Sequence, residues 1–155
     1  MEDATPTQRP KRLWVAAVLN ILIGSLAVIF IVFLATSARV PEAARPGLVN
    51  LIAGGFLGCL LVFYSVLALK GRPSARRNLL IVATVYFGAT IAQNAAPLLG
   101  LSDSIVPSQK LIANVVRHSL TLGITWWALT SSVTMRFFAM RPLPPSNALE
   151  RTRGG

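Results

Sequence analysis

Four long apolar stretches constrain this chain more than any other feature of its sequence. Three of them contain no charged residue, and they run over 13–38, 46–69 and 78–102. Each exceeds the roughly 20 residues that a helix needs to cross about 30 Å of hydrocarbon. The fourth stretch, 111–135, is also long enough, although it contains Arg117. The sequence therefore predicts four membrane-spanning helices.

The composition agrees with this interpretation, because 54% of the 155 residues are hydrophobic and only 13% are charged. A soluble domain of this size cannot bury so much apolar surface. The predicted fold class is all-α: an integral membrane four-helix bundle, antiparallel and up-down, N-in/C-in. One transmembrane domain is expected over 13–138, between disordered cytoplasmic tails at 1–12 and 139–155. Its spans are predicted at about 13–36, 48–69, 78–99 and 111–135.

A cleavable signal peptide is the alternative interpretation of the first stretch. A basic start precedes the apolar run there, and the small residues Ala35 and Ser37 follow it. The apolar run over 13–35 is, however, longer than the about 7–15 residues of a signal-peptide core. We therefore interpret it as a retained span.

Basic residues are distributed unevenly between the two sides of the predicted bundle. Eleven Lys and Arg residues fall on the side of the termini and the middle connection, against three on the other side. Because Lys and Arg in short loops stay in the cytoplasm, both termini are predicted there, in a multi-pass protein of the cytoplasmic (inner) membrane. The eleven are Arg9, Lys11, Arg12, Lys70, Arg72, Arg76, Arg77, Arg136, Arg141, Arg151 and Arg153, and the three are Arg39, Arg45 and Lys110.

The formal charge of +10 also raises the question of nucleic-acid binding, since Lys and Arg clusters neutralise phosphates. Here the basic residues stand at the ends of the apolar stretches, and no basic surface interleaved with aromatic residues lies between them. The lipid bilayer is the predicted partner, and nucleic acid is not.

Small and polar residues recur at helical spacing along the first two stretches. Asn20 and Gly24 share one face of the first helix, and Gly54 and Gly58 form a GxxxG match in the second. Helices in lipid associate through such close approaches of small residues. We predict that these four residues pack helices within one chain, and a dimer interface is the alternative.

Another set of polar residues predicts a cluster in the outer third of the bundle. Polar residues of the fourth stretch fall in one sector at about 100° per residue, and the third stretch has polar residues near its end. Because these spans run in opposite directions, the two sets reach the same level. The candidate polar cluster consists of Asn50, Gln93, Asn94, Asn114, Arg117, His118 and Thr121.

Arg117 is the charged residue of a predicted span, and a charge inside a membrane is costly and often marks function. It lies about two turns from the start of its span, so its guanidinium can reach the interface or pair with Asp103 or Glu42. We favour a structural anchor. A ligand or ion pathway and a contact with a partner subunit are the alternatives.

His118 is the only histidine, and no predicted span contains a carboxylate. A metal site needs about three or four protein ligands, so no metal and no cofactor is predicted. We interpret His118 as a hydrogen-bonded packing residue, with a proton relay as the alternative. Trp126 and Trp127 are predicted near the middle of the fourth span, away from the interfacial level usual for tryptophan.

The sequence predicts a non-catalytic accessory, assembly or regulatory component of the membrane, with a larger membrane-protein partner. The alternative is an oligomeric small-solute transporter or channel whose entrance is the outer polar cluster, and this alternative requires a homo-oligomer. An enzyme is not predicted, because acid–base chemistry within the bundle would need carboxylates there. All five acidic residues fall in predicted tails or loops: Glu2, Asp3, Glu42, Asp103 and Glu150.

Overall fold

The computed structural model of the protein describes residues 10–37, 47–102 and 106–139, and the regular secondary structure in these ranges is entirely α-helical. Among these residues, three helices are long and apolar enough to cross a membrane: α1, α2 and α3. The fourth long helix, α4, has 23 residues and contains more polar side chains. The helices are α1 (Lys11–Thr36), α2 (Leu48–Leu69), α3 (Pro73–Leu98), α4 (Ser108–Thr130) and α5 (Ser132–Ala139).

Three of the four long helices differ from the predicted spans at their ends. α2 covers 48–69, which are the bounds predicted for the second span. α3, in contrast, begins at Pro73 instead of residue 78, and α4 ends at Thr130 instead of continuing to residue 135. Lys11 and Arg12, predicted to belong to the first tail, are the first residues of α1. The remainder of that tail before Pro10, and the second tail after Ala139, lie outside the described residues.

The connection between α2 and α3 is short because glycine ends one helix and proline starts the next. Gly71 has a φ of 74°, in the left-handed region that other side chains disfavour. The Arg72 N–H donates to the Leu67 carbonyl at 3.2 Å, which is the long hydrogen bond of a Schellman motif. Pro73 then occupies the first turn of α3, where its missing N–H has no cost. Gly100, with a φ of 70°, follows α3 in the same way.

α1 contacts α2 and α4, and α3 contacts the same two helices. Two hydrogen bonds fix the relative direction of α3 and α4. Near the start of α3 the Arg76 Nε donates to the Leu129 carbonyl at 2.8 Å, which lies near the end of α4. Near the end of α3, Asn94 accepts a hydrogen bond of 3.1 Å from Asn114, close to the start of α4. The two helices are therefore antiparallel.

α1 and α2 approach each other closely where both carry glycine. A Cβ atom added to Gly24 would lie 2.9 Å from the Gly58 carbonyl oxygen and 2.9 Å from the Val62 side chain. A Cβ atom added to Gly58 would lie 3.2 Å from the Val28 side chain. The backbones therefore contact each other without intervening side chains, as in helix pairs that associate through small residues.

The distribution of polar and apolar side chains is unlike that of a soluble protein. The interior contains large apolar side chains such as Phe87 and Leu61, but it also contains buried polar ones: Asn20, Ser65, Thr121, Thr125 and Thr134. Large apolar side chains are at the same time exposed along all four long helices. They include Leu26, Phe30, Ile52, Phe56, Phe63, Ile81, Leu120 and Trp127.

Ser131 separates α4 from α5, so the stretch predicted as one helix over 111–135 is two helices. Its backbone is extended, with a φ of −62° and a ψ of 143°. The Thr134 N–H donates to the Ser131 Oγ at 3.4 Å, and the Thr134 hydroxyl donates to the Ala128 carbonyl at 2.8 Å. These hydroxyls satisfy backbone groups that the helix ends leave unpaired, which stabilises the break.

Replacing Gly24 by alanine should destabilise the protein, because the new Cβ must displace the Gly58 backbone. Overpacking of this kind costs about 1–3 kcal/mol. The matched control is Gly88→Ala, since a Cβ added to Gly88 meets nothing within 4 Å. The measurement is the midpoint of thermal unfolding in a mild detergent. Equal midpoints for the two variants would contradict the close approach.

Candidate functional site

Three residues of the predicted polar cluster are joined by hydrogen bonds across α3 and α4. Asn114 Nδ2 donates to Asn94 Oδ1 at 3.1 Å, and the Arg117 guanidinium donates to Asn114 Oδ1 at 2.7 Å. Asn94 Nδ2 donates to the Thr90 carbonyl at 2.7 Å. We call Asn94, Asn114 and Arg117 the asparagine chain. Because the Asn114–Asn94 hydrogen bond joins α4 to α3, the asparagine chain is a structural link between the two helices.

Arg117 ends the asparagine chain at the surface, where its side chain is exposed. Its partner there, Asn114, is neutral, so the pairing orients the guanidinium without compensating its charge. Asp103 and Glu42, the ion-pair partners considered from the sequence, lie outside the described residues. The observed contacts therefore show how Arg117 is held at this surface.

His118 and Thr121 form hydrogen bonds with their own helix. The His118 Nδ1 lies 2.7 Å from the Asn114 carbonyl oxygen. Since a carbonyl only accepts, Nδ1 carries the proton and Nε2 is an acceptor in the neutral ring. The ring centroid lies 6.0 Å from that of Phe87. The Thr121 hydroxyl donates to the Arg117 carbonyl at 2.9 Å. Both side chains thus contribute to packing on the inner face of α4.

Asn50 and Gln93 lie elsewhere, at a cavity between α1, α2 and α3. The cavity has a volume of about 240 Å³. Its polar side chains are all neutral, and hydrophobic side chains such as Phe30 and Leu57 form most of the remaining wall. The predicted cluster is therefore divided between this cavity and the contact of α3 with α4, where Asn94 and Asn114 meet. We call this cavity, whose polar side chains are Asn50, Tyr86, Thr90 and Gln93, the neutral cavity.

Sequence reasoning missed a buried polar pair between α1 and α4. The Thr125 hydroxyl donates to the Asn20 Oδ1 at 3.2 Å, and both residues are 0% exposed. The Asn20 Nδ2 is buried with no hydrogen-bond acceptor among the described residues. The sequence predicts Asn20 on a packing face of the first helix, but its pairing with Thr125 depends on the register of two helices far apart in sequence.

The four residues predicted to pack helices all lie at contacts of α1. Gly24 and Gly58 form the close approach described above. A Cβ atom added to Gly54 would lie 3.2 Å from the Ile31 side chain, which places Gly54 in the same interface. Asn20 contacts α4 through its hydrogen bond to Thr125. Within the described part of the chain, these positions serve contacts between its own helices.

Trp126 and Trp127 lie near the end of α4, whereas the sequence predicts them near the middle of a single span over 111–135. The reason is the break at Ser131, which ends α4 at Thr130. The Trp126 Nε1 donates to the Thr84 hydroxyl at 3.0 Å. The Arg12 guanidinium lies 4.3 Å from the centre of the Trp127 ring, a cation–π contact. Trp127 therefore contacts the start of α1, where Lys11 and Arg12 stand, whereas Trp126 lies level with the middle of α3.

The described residues include no group of side chains suited to bind a metal ion. Among residues 10–37, 47–102 and 106–139, no three His, Cys, Asp or Glu side chains are grouped so that they could hold a metal ion. Comparison of the chain with protein families, curated proteins and solved structures found no match. The interpretation of its function therefore rests on the geometry of its own residues.

Thr125→Val should destabilise the protein by about 1–3 kcal/mol, because it leaves the buried Asn20 amide without its hydrogen bond. The double variant Asn20→Leu with Thr125→Val should recover most of that loss, because both partners are then apolar. Thr130→Val, at an exposed position of the same helix, is the control. Denaturant unfolding in one detergent compares the variants. Additive losses in the double variant would show that the two side chains do not interact.

Proposed function

We propose that the protein is an integral membrane protein whose four long helices form an antiparallel four-helix bundle across the bilayer. The observation that carries this proposal is the exposure of large apolar side chains around an interior that also contains buried polar ones. Asn20 and Thr125 are 0% exposed, whereas Phe30 is 59% and Leu120 is 62% exposed. Water would penalise such an arrangement, but lipid is as apolar as leucine and favours polar groups that are hydrogen-bonded inside the bundle.

α4 crosses the membrane in this proposal although its sequence is less apolar than the other three. Several of its polar side chains are directed inwards: Thr121 and Thr125 are buried, and Asn114 bonds to α3. Val116 and Leu120, in contrast, are exposed and would face lipid. A helix whose polar face is covered by its neighbours needs only one apolar face toward the bilayer.

The distribution of charge supports a cytoplasmic location for both termini. We call the end at which α1 and α3 begin the basic end. Of the described basic residues, Lys110 and Arg117 lie toward the opposite end, and positive charge near short loops is retained in the cytoplasm. Trp127, whose ring lies 4.3 Å from the Arg12 guanidinium near the start of α1, supports the same orientation, since tryptophan is enriched at membrane surfaces. The basic end carries Lys11, Arg12, Lys70, Arg72, Arg76, Arg77 and Arg136.

Within the membrane we propose a non-catalytic role, as an accessory, assembly or regulatory component of the cytoplasmic membrane. The polar groups of α3 and α4 are engaged in hydrogen bonds that hold these helices together, such as those of Asn94 and Asn114. None of the five acidic residues of the chain lies in a described helix. The exposed apolar faces of the helices are available to a larger membrane protein.

Transport of a small solute is the second candidate, and the neutral cavity is the observation that favours it. Asn50 and Gln93 place two amide groups at a cavity that is otherwise mostly apolar. Such a lining suits a neutral solute with hydrogen-bonding groups. A complete pathway would require several copies of the chain, because small residues in one bundle support close packing instead of a pore.

Reporter fusions test the proposed orientation. Alkaline phosphatase fused after residue 155 should be inactive, and fused within the connection 38–46 it should be active, because the enzyme folds only outside the cytoplasm. A fluorescent protein fused at the same two positions should give the opposite pattern. Phosphatase activity at the C-terminus would contradict the proposal.

Purification from gently solubilised membranes distinguishes the two functions. The accessory role predicts that a larger partner copurifies in a fixed ratio. Substitutions on the exposed apolar faces should abolish this copurification, and the double variant Asn50→Leu with Gln93→Leu should retain it. Transport predicts a homo-oligomer whose solute flux is reduced by that double variant. Gln109→Leu, exposed and outside the neutral cavity, is the matched control. A monodisperse protein without detergent would contradict both.

A further inference from the structure

A groove runs along the surface between α3 and α4, starting at the basic end. Its volume is about 480 Å³. Its α3 residues recur every three or four positions from Arg77 to Val85, so they lie on one face over about two helical turns. Trp126 forms the wall on α4. We call this the α3–α4 groove, and its lining consists of Arg77, Leu80, Ile81, Thr84, Val85 and Trp126.

Hydrogen bonds hold the walls of the groove in place. The same hydrogen bonds occupy the polar atoms of Trp126 and Thr84, which are then not available to a ligand. The Trp126 Nε1 donates to the Thr84 hydroxyl at 3.0 Å, and that hydroxyl donates to the Leu80 carbonyl at 2.8 Å. Beyond Arg77, the surface offered to a ligand is therefore the indole ring and the aliphatic side chains. A long apolar chain fits such a surface.

Positive charge is concentrated at one end of this groove. Arg77 is exposed and lines it, while its neighbour Arg76 is bonded to the Leu129 carbonyl and so fixes the adjoining ends of α3 and α4. None of the five acidic residues of the chain lies in a described range, so no described carboxylate neutralises Arg77. A guanidinium is a strong, bidentate partner for phosphate.

We propose that the α3–α4 groove binds an anionic phospholipid of the cytoplasmic leaflet. The phosphate is held by Arg77, and one acyl chain lies along Ile81 and Val85 against the Trp126 ring. This inference rests on the proposed membrane insertion and orientation, which place the basic end at the leaflet rich in anionic lipid. Charge complementarity distinguishes this groove from the one between α1 and α2, whose lining contains no charged residue: Ser25, Val28, Ile29, Cys59, Val62, Phe63 and Val66.

Lipid retention on the purified protein tests this proposal. Native mass spectrometry in detergent compares phosphatidylglycerol with phosphatidylcholine of the same acyl chains. The wild type should retain phosphatidylglycerol preferentially, and Arg77→Gln should weaken its retention about tenfold, as expected for the loss of one hydrogen bond between charged groups. Arg77→Lys should keep most of the preference, and raised salt should reduce it.

Arg72→Gln is the matched control, because it removes the same charge at the same end of the protein from an exposed residue outside the groove. It should leave the preference unchanged. Ile81→Ser should weaken retention of both lipids, since it acts on the acyl chain. Equal retention of the two lipids by the wild type, or equal losses in Arg77→Gln and Arg72→Gln, would overturn the proposal.

These results are separable from the proposed function. If the reporter fusions place both termini in the cytoplasm and the lipid preference is absent, only the lipid site is rejected. If the fusions place the termini outside while Arg77→Gln still reduces phosphatidylglycerol retention, the orientation and the leaflet are rejected. A wild-type thermal unfolding midpoint in Arg77→Gln confirms that the variant is folded.

Discussion

The requirement that polar groups surrounded by apolar material find partners inside the chain governs this fold. Backbone groups satisfy it by forming helices, and hydroxyl side chains satisfy it by bonding to the carbonyl four residues earlier. Ser65 bonds to the Leu61 carbonyl and Thr90 to the Tyr86 carbonyl in this way. An unpaired buried polar group would cost about 1–3 kcal/mol, which is a large share of the stability of a small domain.

The two helix pairs meet this requirement by different means. α3 and α4 are linked at both ends by polar contacts, through Arg76 at the basic end and through Asn114 at the other. α1 and α2 instead pack backbone against backbone at Gly24 and Gly58. The Asn20–Thr125 hydrogen bond then joins α1 to α4 in the interior. Polar groups that serve these links are not available for binding a ligand. The neutral cavity and the α3–α4 groove are the proposed binding sites that remain.

The last part of α4 connects the fold to the proposed lipid site. Trp126 and Trp127 lie shortly before the break at Ser131 and contact Thr84 and Arg12. The same tryptophan that packs against α3 forms a wall of the α3–α4 groove. Trp126 therefore contributes both to the contact between α3 and α4 and to the wall of the proposed lipid site.

The sequence by itself determined the all-helical class and the three long apolar helices, because hydropathy and helix-ending residues such as Gly71 act over a few neighbouring positions. Only the tertiary structure decided which polar residues meet. It joined Asn114 to Asn94, separated Gln93 from them, and paired Asn20 with Thr125. These outcomes depend on the rotation and register of packed helices, and a periodic pattern within one helix carries no information about the neighbour that its polar face will meet.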